Sequence, residues 1–330
     1  MPLAIACATH KKERMRDPSH PALTATQPAS AFDPTPGVCE TVADGVRRIL
    51  APNPSAMTFR GTNTYIVGHG EVALIDPGPM HRGHADAVLA ALAGERISHI
   101  FVTHAHLDHS ALAHHLHREL AIPVLAFGTA QTGRRPIMQA LERDGQIGGG
   151  EGVDAAFAPT HTLPDRARVA GSGWSIEALH TPGHMSNHMC FAFDEIVFTG
   201  DHVMGWSTSM ISPPDGDAAA FRASCERLLA RPETVYLPGH GPTITDGPAR
   251  VRALLDHRAA REAQILAALA DGGQDVATLT ARLYAGLAPQ LRTPASRNVL
   301  AHLIDLAERN RVLADSTPHP HTRFSLNENF

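Results

Sequence analysis

The chain has 330 residues, 43% of them apolar and 18% charged, with a net charge of −5. This is an ordinary globular composition, large enough for one sizeable domain plus a small one, and it excludes a disordered or fibrous chain. The negative balance gives no overall attraction to nucleic acid or to an anionic membrane.

No stretch reaches the roughly 18–20 apolar residues of a membrane-spanning helix. The short apolar run in MPLAIACATH precedes its basic cluster, opposite to a secretory signal. A cytoplasmic protein is expected, with Cys7, Cys39, Cys190 and Cys225 as free thiols. Lys11 and Lys12 are the only lysines. An anionic substrate must therefore be met by Arg, His, backbone N–H or metal.

Residues 1–40, with six prolines and little periodicity, read as a flexible tail, and order is expected from about Val46. Strands are predicted at Thr64–Val67 and Val72–Ile75, then a helix over His84–Leu92 and an apolar strand at Ile97–Val102. A helix at Ser110–Leu120 and a strand at Pro123–Phe127 follow. Residues 128–173, with a Gly-rich run at Gly148–Gly152, read as loops and one helix (Arg135–Arg143) overhanging the site. Strands are expected at Trp174–Leu179, Cys190–Phe193, Glu195–Phe198 and Val235–Leu237, with a helix at Ala218–Leu229. The chain then turns helical: Arg250–Ala270, Val276–Leu287 capped by Asp275, and a third helix opened by Thr293-Pro294. The organisation is a mixed α/β catalytic domain over 41–247 and a helical module over 248–330.

The chemistry concentrates in Thr103-His-Ala-His-Leu-Asp-His109, directly after the apolar strand. Imidazole nitrogen and carboxylate oxygen are the ligands of zinc and neighbouring metals, and here four lie within six residues. Strand alternation sends His104 and His106 the same way, while Asp108 and His109 turn elsewhere as the next helix starts. Three later turns each follow a predicted strand: His180-Thr-Pro-Gly-His184, Thr199-Gly-Asp201 and Pro238-Gly-His240. Glycine beside each ligand lets the backbone turn sharply there.

The ordered set His-x-His-x-Asp-His, Gly-His, Gly-Asp, Gly-His resembles the metallo-β-lactamase superfamily over about residues 45–247. The resemblance implies an αββα sandwich with a dinuclear site at one edge of its two sheets. It assigns His104, His106 and His184 to a first metal, Asp108, His109 and His240 to a second, and Asp201 to both. It also gives Asp76, in Ile-Asp-Pro-Gly, the task of orienting a ligand histidine. Two divalent ions are expected, zinc first, with iron or manganese as alternatives. The implied reaction is hydrolysis, with hydroxide held between the ions attacking an ester-type bond: carboxylic ester, thioester, lactone or phosphodiester. Asp108 would orient the water or carry its proton.

Within the superfamily, Asp201 argues against a true β-lactamase. Ser110-Ala111, in place of Gly-Gly, argues against glyoxalase II. Gly61-Thr-Asn-Thr-Tyr65, the run His180–His188 and the helical tail resemble the β-lactamase-like group with a C-terminal winged-helix-like domain, of which a mitochondrial member is a single-strand endoribonuclease. A single-strand endoribonuclease, a glyoxalase II-like thioesterase and a β-lactam or lactone hydrolase are the alternatives. His188 reads either as a proton donor or as a packing histidine. Over residues 250–311 nine arginines face six acids, a weak footprint for nucleic acid. With Arg134, Arg135, His161, Asn187 and His188 as walls, a polar or anionic substrate is expected.

Overall fold

The computed structural model describes residues 31–145 and 147–329. The tail expected over 1–40 therefore lies mostly outside the described residues. Its end is built into the fold: Phe32 is buried, and a first strand, β1 (Cys39–Ala43), pairs with β2 (Val46–Leu50). Order begins earlier than expected because β1 is a half-exposed edge strand with little apolar patterning.

Two sheets face each other. The first has seven strands in the order β1, β2, β3 (Asn63–Val67), β4 (Glu71–Ile75), β5 (Arg96–Phe101), β6 (Val124–Ala126) and β7 (His161–Thr162). The early strands form an antiparallel meander, and β4 to β7 run parallel. The crossovers between parallel strands carry α1 (Arg82–Ala91) and α2 (Leu107–Leu120). The second sheet has the order β12 (Val235–Pro238), β11 (Ile196–Gly200), β10 (Met189–Phe193), β9 (Trp174–His180) and β8 (Arg168–Gly171). Its single parallel pair, β11 with β12, is joined through α4 (Ala218–Leu229), which Asp217 caps by accepting from the Ala220 N–H at 3.0 Å.

Aromatic side chains fill the space between the sheets, with Phe101 and Phe191 edge to face at 5.2 Å and Tyr65 against Phe198 at 5.1 Å. Truncating one of these, Phe101→Ala for example, would cost about 3–5 kcal/mol. The helices α1 and α2 cover the outer face of the first sheet, and α4 with α5 (Gly247–Leu269) covers the second. The result is a helix–sheet–sheet–helix sandwich.

The C-terminal part comprises α5, α6 (Val276–Leu283), α7 (Arg292–Glu308) and a hairpin of β13 (Val312–Ala314) with β14 (Phe324–Leu326). Asp275 caps α6 as expected, but α6 stops at Leu283 and the chain turns through Gly286 at φ +87°. Thr293 is not the cap of α7, which starts at Arg292 out of a 3-10 turn at Pro289–Leu291. The expected helix at 135–143 forms as α3 (Pro136–Arg143). It does not overhang the site: Met138 and Leu141 are buried with Val299 and Leu303 of α7. No helix among the described residues is long and apolar enough to cross a membrane.

Candidate metal centre

All seven ligand candidates converge at one edge of the sandwich, on the turns that leave β5, β9, β11 and β12. They fall into two groups. His104, His106, His184 and Asp201 have ligand atoms within 4.8 Å of one another, and so do Asp108, His109 and His240. In the first group His106 Nδ1 stands 2.9 Å from His104 Nε2 and 3.0 Å from His184 Nε2. In the second, His240 Nε2 stands 3.3 Å from His109 Nε2 and 3.2 Å from Asp108 Oδ2. Asp201 Oδ2 is 3.7 Å from His184 Nε2 and 3.4 Å from His240 Nε2, so this carboxylate approaches both groups.

The far side of most rings is pinned. His109 Nδ1 lies 2.8 Å from Asp76 Oδ2, His184 Nδ1 2.7 Å from the Met210 carbonyl, and His240 Nδ1 3.1 Å from the Gly61 carbonyl. His104 Nδ1 is 2.9 Å from Thr103 Oγ1, which donates to Asp76 Oδ2 at 2.7 Å. With each Nδ1–H engaged, the Nε2 lone pairs of these four rings turn inward, as metal ligation requires. Two glycines are spatially obligatory. A Cβ at Gly239 would sit 2.6 Å from Asp201 Oδ1 and from His109 Cε1, and Gly200, at φ +46°, has the Thr103 side chain against it.

The donor set fits divalent cations on electrostatic grounds. Burial holds His104 well below the usual imidazole range, His106 down to about 3, and His184 low as well, the neutral state that can ligate. Burial opposes charge at His109 and His240 too. Nevertheless Asp108, Asp201 and Asp76 raise His109, and Asp201 with Asp108 raises His240 to about 9. The carboxylates thus create a demand for positive charge at the centre that two cations would meet.

The cleft above these donors measures about 490 Å³. Met57, Met204, Trp206, Met210 and Leu291 make its apolar walls, and Glu151, Gly152 and Arg297 also line it. Trp206 is set by a stack on Phe59 at 4.9 Å. Arg297 is already engaged, donating to Glu151 Oε1 at 2.7 Å and to the Ile147 carbonyl. Start-of-helix residues Thr293, Pro294 and Asn298 of α7 close one side.

The five side chains expected as walls do not line the cleft, although the loop over 128–173 and the C-terminal helices do contribute to it. Arg134 is buried in ion pairs with Asp215 and Glu142, and Arg135 is paired with Asp217 and Glu308. His161 is exposed on the edge strand β7, and buried Asn187 donates to the Gly128 carbonyl at 3.2 Å. His188 is fully buried behind His104, ring centroids 5.2 Å apart, with Nδ1 3.1 Å from Thr181 Oγ1. Burial keeps it well below the usual imidazole range, and its ring lies behind His104 and off the cleft lining, away from where a proton donor touches a substrate. His202 is likewise buried, stacked on Phe221 at 4.4 Å. The true walls come from loops far apart in the chain. Glu151 and Gly152 belong to the Gly-rich stretch expected over the site, and a further local signal was Trp206, one of two tryptophans, five residues past Asp201.

Residues 57–240 match the Metallo-beta-lactamase superfamily, and residues 276–318 match the Beta-lactamase associated winged helix domain. The chain belongs to the metallo-beta-lactamase superfamily. It is a hydrolase of that superfamily, with a winged-helix domain as its C-terminal part. It is 35% identical to the atrochrysone carboxyl ACP thioesterase AgnL7 of Paecilomyces divaricatus over 254 residues, 74% of this chain and 70% of that one. Over 306 residues it is 30% identical to the lactamase-like protein adaB of Aspergillus niger, covering 87% and 88%. Two solved structures share the fold across both domains. A metallo-beta-lactamase family protein from Thermus thermophilus has TM-score 0.70 and 24% identity, covering 87% of this chain and 100% of its own. A beta-lactamase domain protein from Burkholderia ambifaria has TM-score 0.73 and 20% identity, covering 91% and 96%.

Proposed function

We propose that this metallo-beta-lactamase superfamily hydrolase is a thioesterase that releases an apolar, ring-containing acyl group from a carrier thiol, using two zinc ions. One observation carries the reading: the cleft over the metal donors is walled by Met57, Met204, Trp206 and Met210, and the guanidinium that lines it, Arg297, is neutralised by Glu151. Thioether and indole surfaces suit an aromatic or polyketide-like acyl chain. A polyanion would instead need several free cations, which disfavours the endoribonuclease alternative. The relatives named as ACP thioesterases agree with this choice.

His104, His106 and His184 would hold one ion, Asp108, His109 and His240 the other, with Asp201 shared between them. When bound, such a pair supplies Lewis acidity and an activated water at neutral pH. The protein's own residues do the rest. Asp108 is the more open of the two central carboxylates, with side-chain exposure of 27% against 10% for Asp201. It accepts a hydrogen bond from Thr62 Oγ1 at 3.2 Å, which fixes its plane and leaves it able to orient the attacking water and take its proton. The thiol leaving group has an ordinary pKa of about 8.5 and departs as thiolate, so the reaction needs no proton donor of the kind expected at His188. We assign catalysis to residues 41–247, and to the helical part from 248 onward the shaping of the cleft. Free Cys39, Cys190 and Cys225 support a reducing, cytoplasmic setting.

The test is a comparison of kcat/KM on zinc-loaded protein for an aroyl pantetheine thioester, a short-chain acyl thioester and bis-p-nitrophenyl phosphate. The aroyl thioester is expected to exceed the phosphodiester by at least about 100-fold, the scale on which a mismatched site discriminates. A phosphodiester preference would overturn the reading.

A further inference from the structure

The metal cleft is not the largest cavity. One of about 730 Å³ lies in the C-terminal domain, between α6, α7, the chain at Ile147–Gly148 and Pro320 near the tip of the β13–β14 hairpin. It shares Thr293 and Arg297 with the metal cleft. The first two turns of α7 therefore form a sill between the two spaces.

The two spaces differ in chemistry. The outer cavity is floored by the small side chains Ala277 and Ala281 of α6, with the hydroxyls of Thr293 and Ser296 on the α7 side. Tyr284 forms one wall and is fixed from behind by the Arg261 guanidinium, 4.2 Å from its ring centre. Two arginines face the cavity in different states. Arg297, on the sill, is engaged by Glu151 and the Ile147 carbonyl. Arg292 is exposed and its guanidinium, among the described residues, takes part in no hydrogen bond or ion pair, while its backbone N–H donates to the Pro289 carbonyl. A slot with hydroxyl-bearing walls, a free cation on its lining and an apolar reaction chamber beyond its sill is asymmetric in a particular way. It suits a neutral, amide-bearing arm that ends in a single phosphate and carries its acyl group at the other end.

We propose that this cavity is the binding site for the 4′-phosphopantetheine arm of the thioester substrate, with the phosphate at Arg292 and the arm crossing the Thr293–Arg297 sill into the metal cleft. This rests on the thioesterase reading given above. A guanidinium forms paired, charge-assisted hydrogen bonds with phosphate oxygens, and an unpaired one loses no existing partner in doing so. The cavity's size is that of a small-molecule site. Coenzyme A and an acyl carrier protein present the same arm, and the site reads the chemistry they share.

The experiment has a binding part and a kinetic part. Zinc-loaded native protein is titrated calorimetrically with 4′-phosphopantetheine and with pantetheine, which lacks the phosphate. The phosphorylated form is expected to bind about three- to tenfold more tightly, the range for a charge-assisted but solvent-screened contact, and Arg292→Ala should abolish the difference. Equal affinity for the two probes, or a difference that survives in Arg292→Ala, overturns the proposal. In steady state, Arg292→Ala should raise KM for acyl-coenzyme A and acyl-carrier-protein thioesters more than for the N-acetylcysteamine thioester of the same acid. An equal rise for all three overturns it as well. The lower native KM of the two full-length thioesters identifies the source of the arm. Phosphate-dependent binding in a protein that hydrolyses no thioester would support the site while removing the thioesterase reading, so the two can fail separately.

Discussion

Asp76 Oδ2 lies 2.8 Å from His109 Nδ1 and also accepts the Thr103 hydroxyl at 2.7 Å, so one buried carboxylate orients candidate ligand histidines of both groups. The second route runs through Thr103 Oγ1 to His104 Nδ1. Asp76 also accepts the Thr103 N–H at 2.7 Å, which locks the start of the ligand loop. Asp76→Ala should therefore loosen both groups together. Metal affinity or kcat is expected to fall about 10- to 100-fold, the usual effect of removing a partner that orients a metal-ligating histidine. Elemental analysis and steady-state rates check this. Full zinc content with unchanged kcat would show that the rings hold their orientation unaided.

Asp201→Ala tests the shared carboxylate. It is expected to lower bound metal from about two ions towards one and to reduce the rate with it, because both groups lose a ligand at once. Metal titration followed calorimetrically separates the two binding events. Two undisturbed events in the variant would show that Asp201 contacts neither ion.

The cluster of seven candidate ligands was legible because four ligand-type side chains crowd behind one buried strand, and each later turn repeats a glycine next to a His or Asp. Those are local patterns. The cleft walls are assembled from residues 56–58, 151–152, 204–210 and 291–298, and no local pattern ties such distant segments to one surface. Arginines 134 and 135 looked like substrate contacts, yet each finds carboxylates more than seventy residues away, Asp215 and Asp217. Chain order cannot display such pairings. β1 and the β13–β14 hairpin escaped for a related reason: short edge strands take their stability from a partner strand more than from their own apolar periodicity.

His188 separates a packing histidine from a proton donor. Packed behind His104 and closed off from the cleft, it should tolerate His188→Gln with a loss in kcat under about tenfold and an unaltered pH–rate profile. A general acid would show a loss of about 100-fold or more together with the disappearance of one limb of the profile. Rates measured from pH 5 to 9 on metal-loaded protein distinguish the two.

Stability towards acid should depend on His302, in the middle of α7. Burial holds its imidazole well below the usual range, and the positive charge of Arg258, Arg261, His257 and Arg309 acts in the same direction. It is neutral in the folded chain and protonates only on unfolding. Its contribution is therefore present above the unfolded value of about 6.5 and is lost as pH falls below it. His302→Leu should remove this liability. Relative to the native protein its Tm is expected to rise as pH drops from 7 to 5, the gap being smallest at pH 8. A pH-independent gap would mean that only packing had changed.

The helices that follow the second sheet reach the cleft through polar side chains. Arg250 of α5 donates to the Met204 and Ser207 carbonyls, both at 2.7 Å, and Arg258 donates to the Ser209 carbonyl at 2.6 Å. Asn298 Oδ1 of α7 accepts the Ile211 N–H at 3.2 Å. These contacts hold the segment that supplies Met204, Trp206 and Met210 to the cleft and the carbonyl that pins His184. The guanidiniums are sunk deeply enough that burial pulls both Arg250 and Arg258 down to about 10. Arg258→Met keeps the apolar stem but leaves the Ser209 carbonyl without this partner, at a cost of about 1–3 kcal/mol if the group stays buried. The wall should then shift, with KM for an aroyl thioester rising several-fold while kcat and zinc content change little. A fall in kcat and zinc content at constant KM would place the effect on His184 instead. Unchanged kinetics with only a lower Tm would reduce Arg258 to a structural bolt.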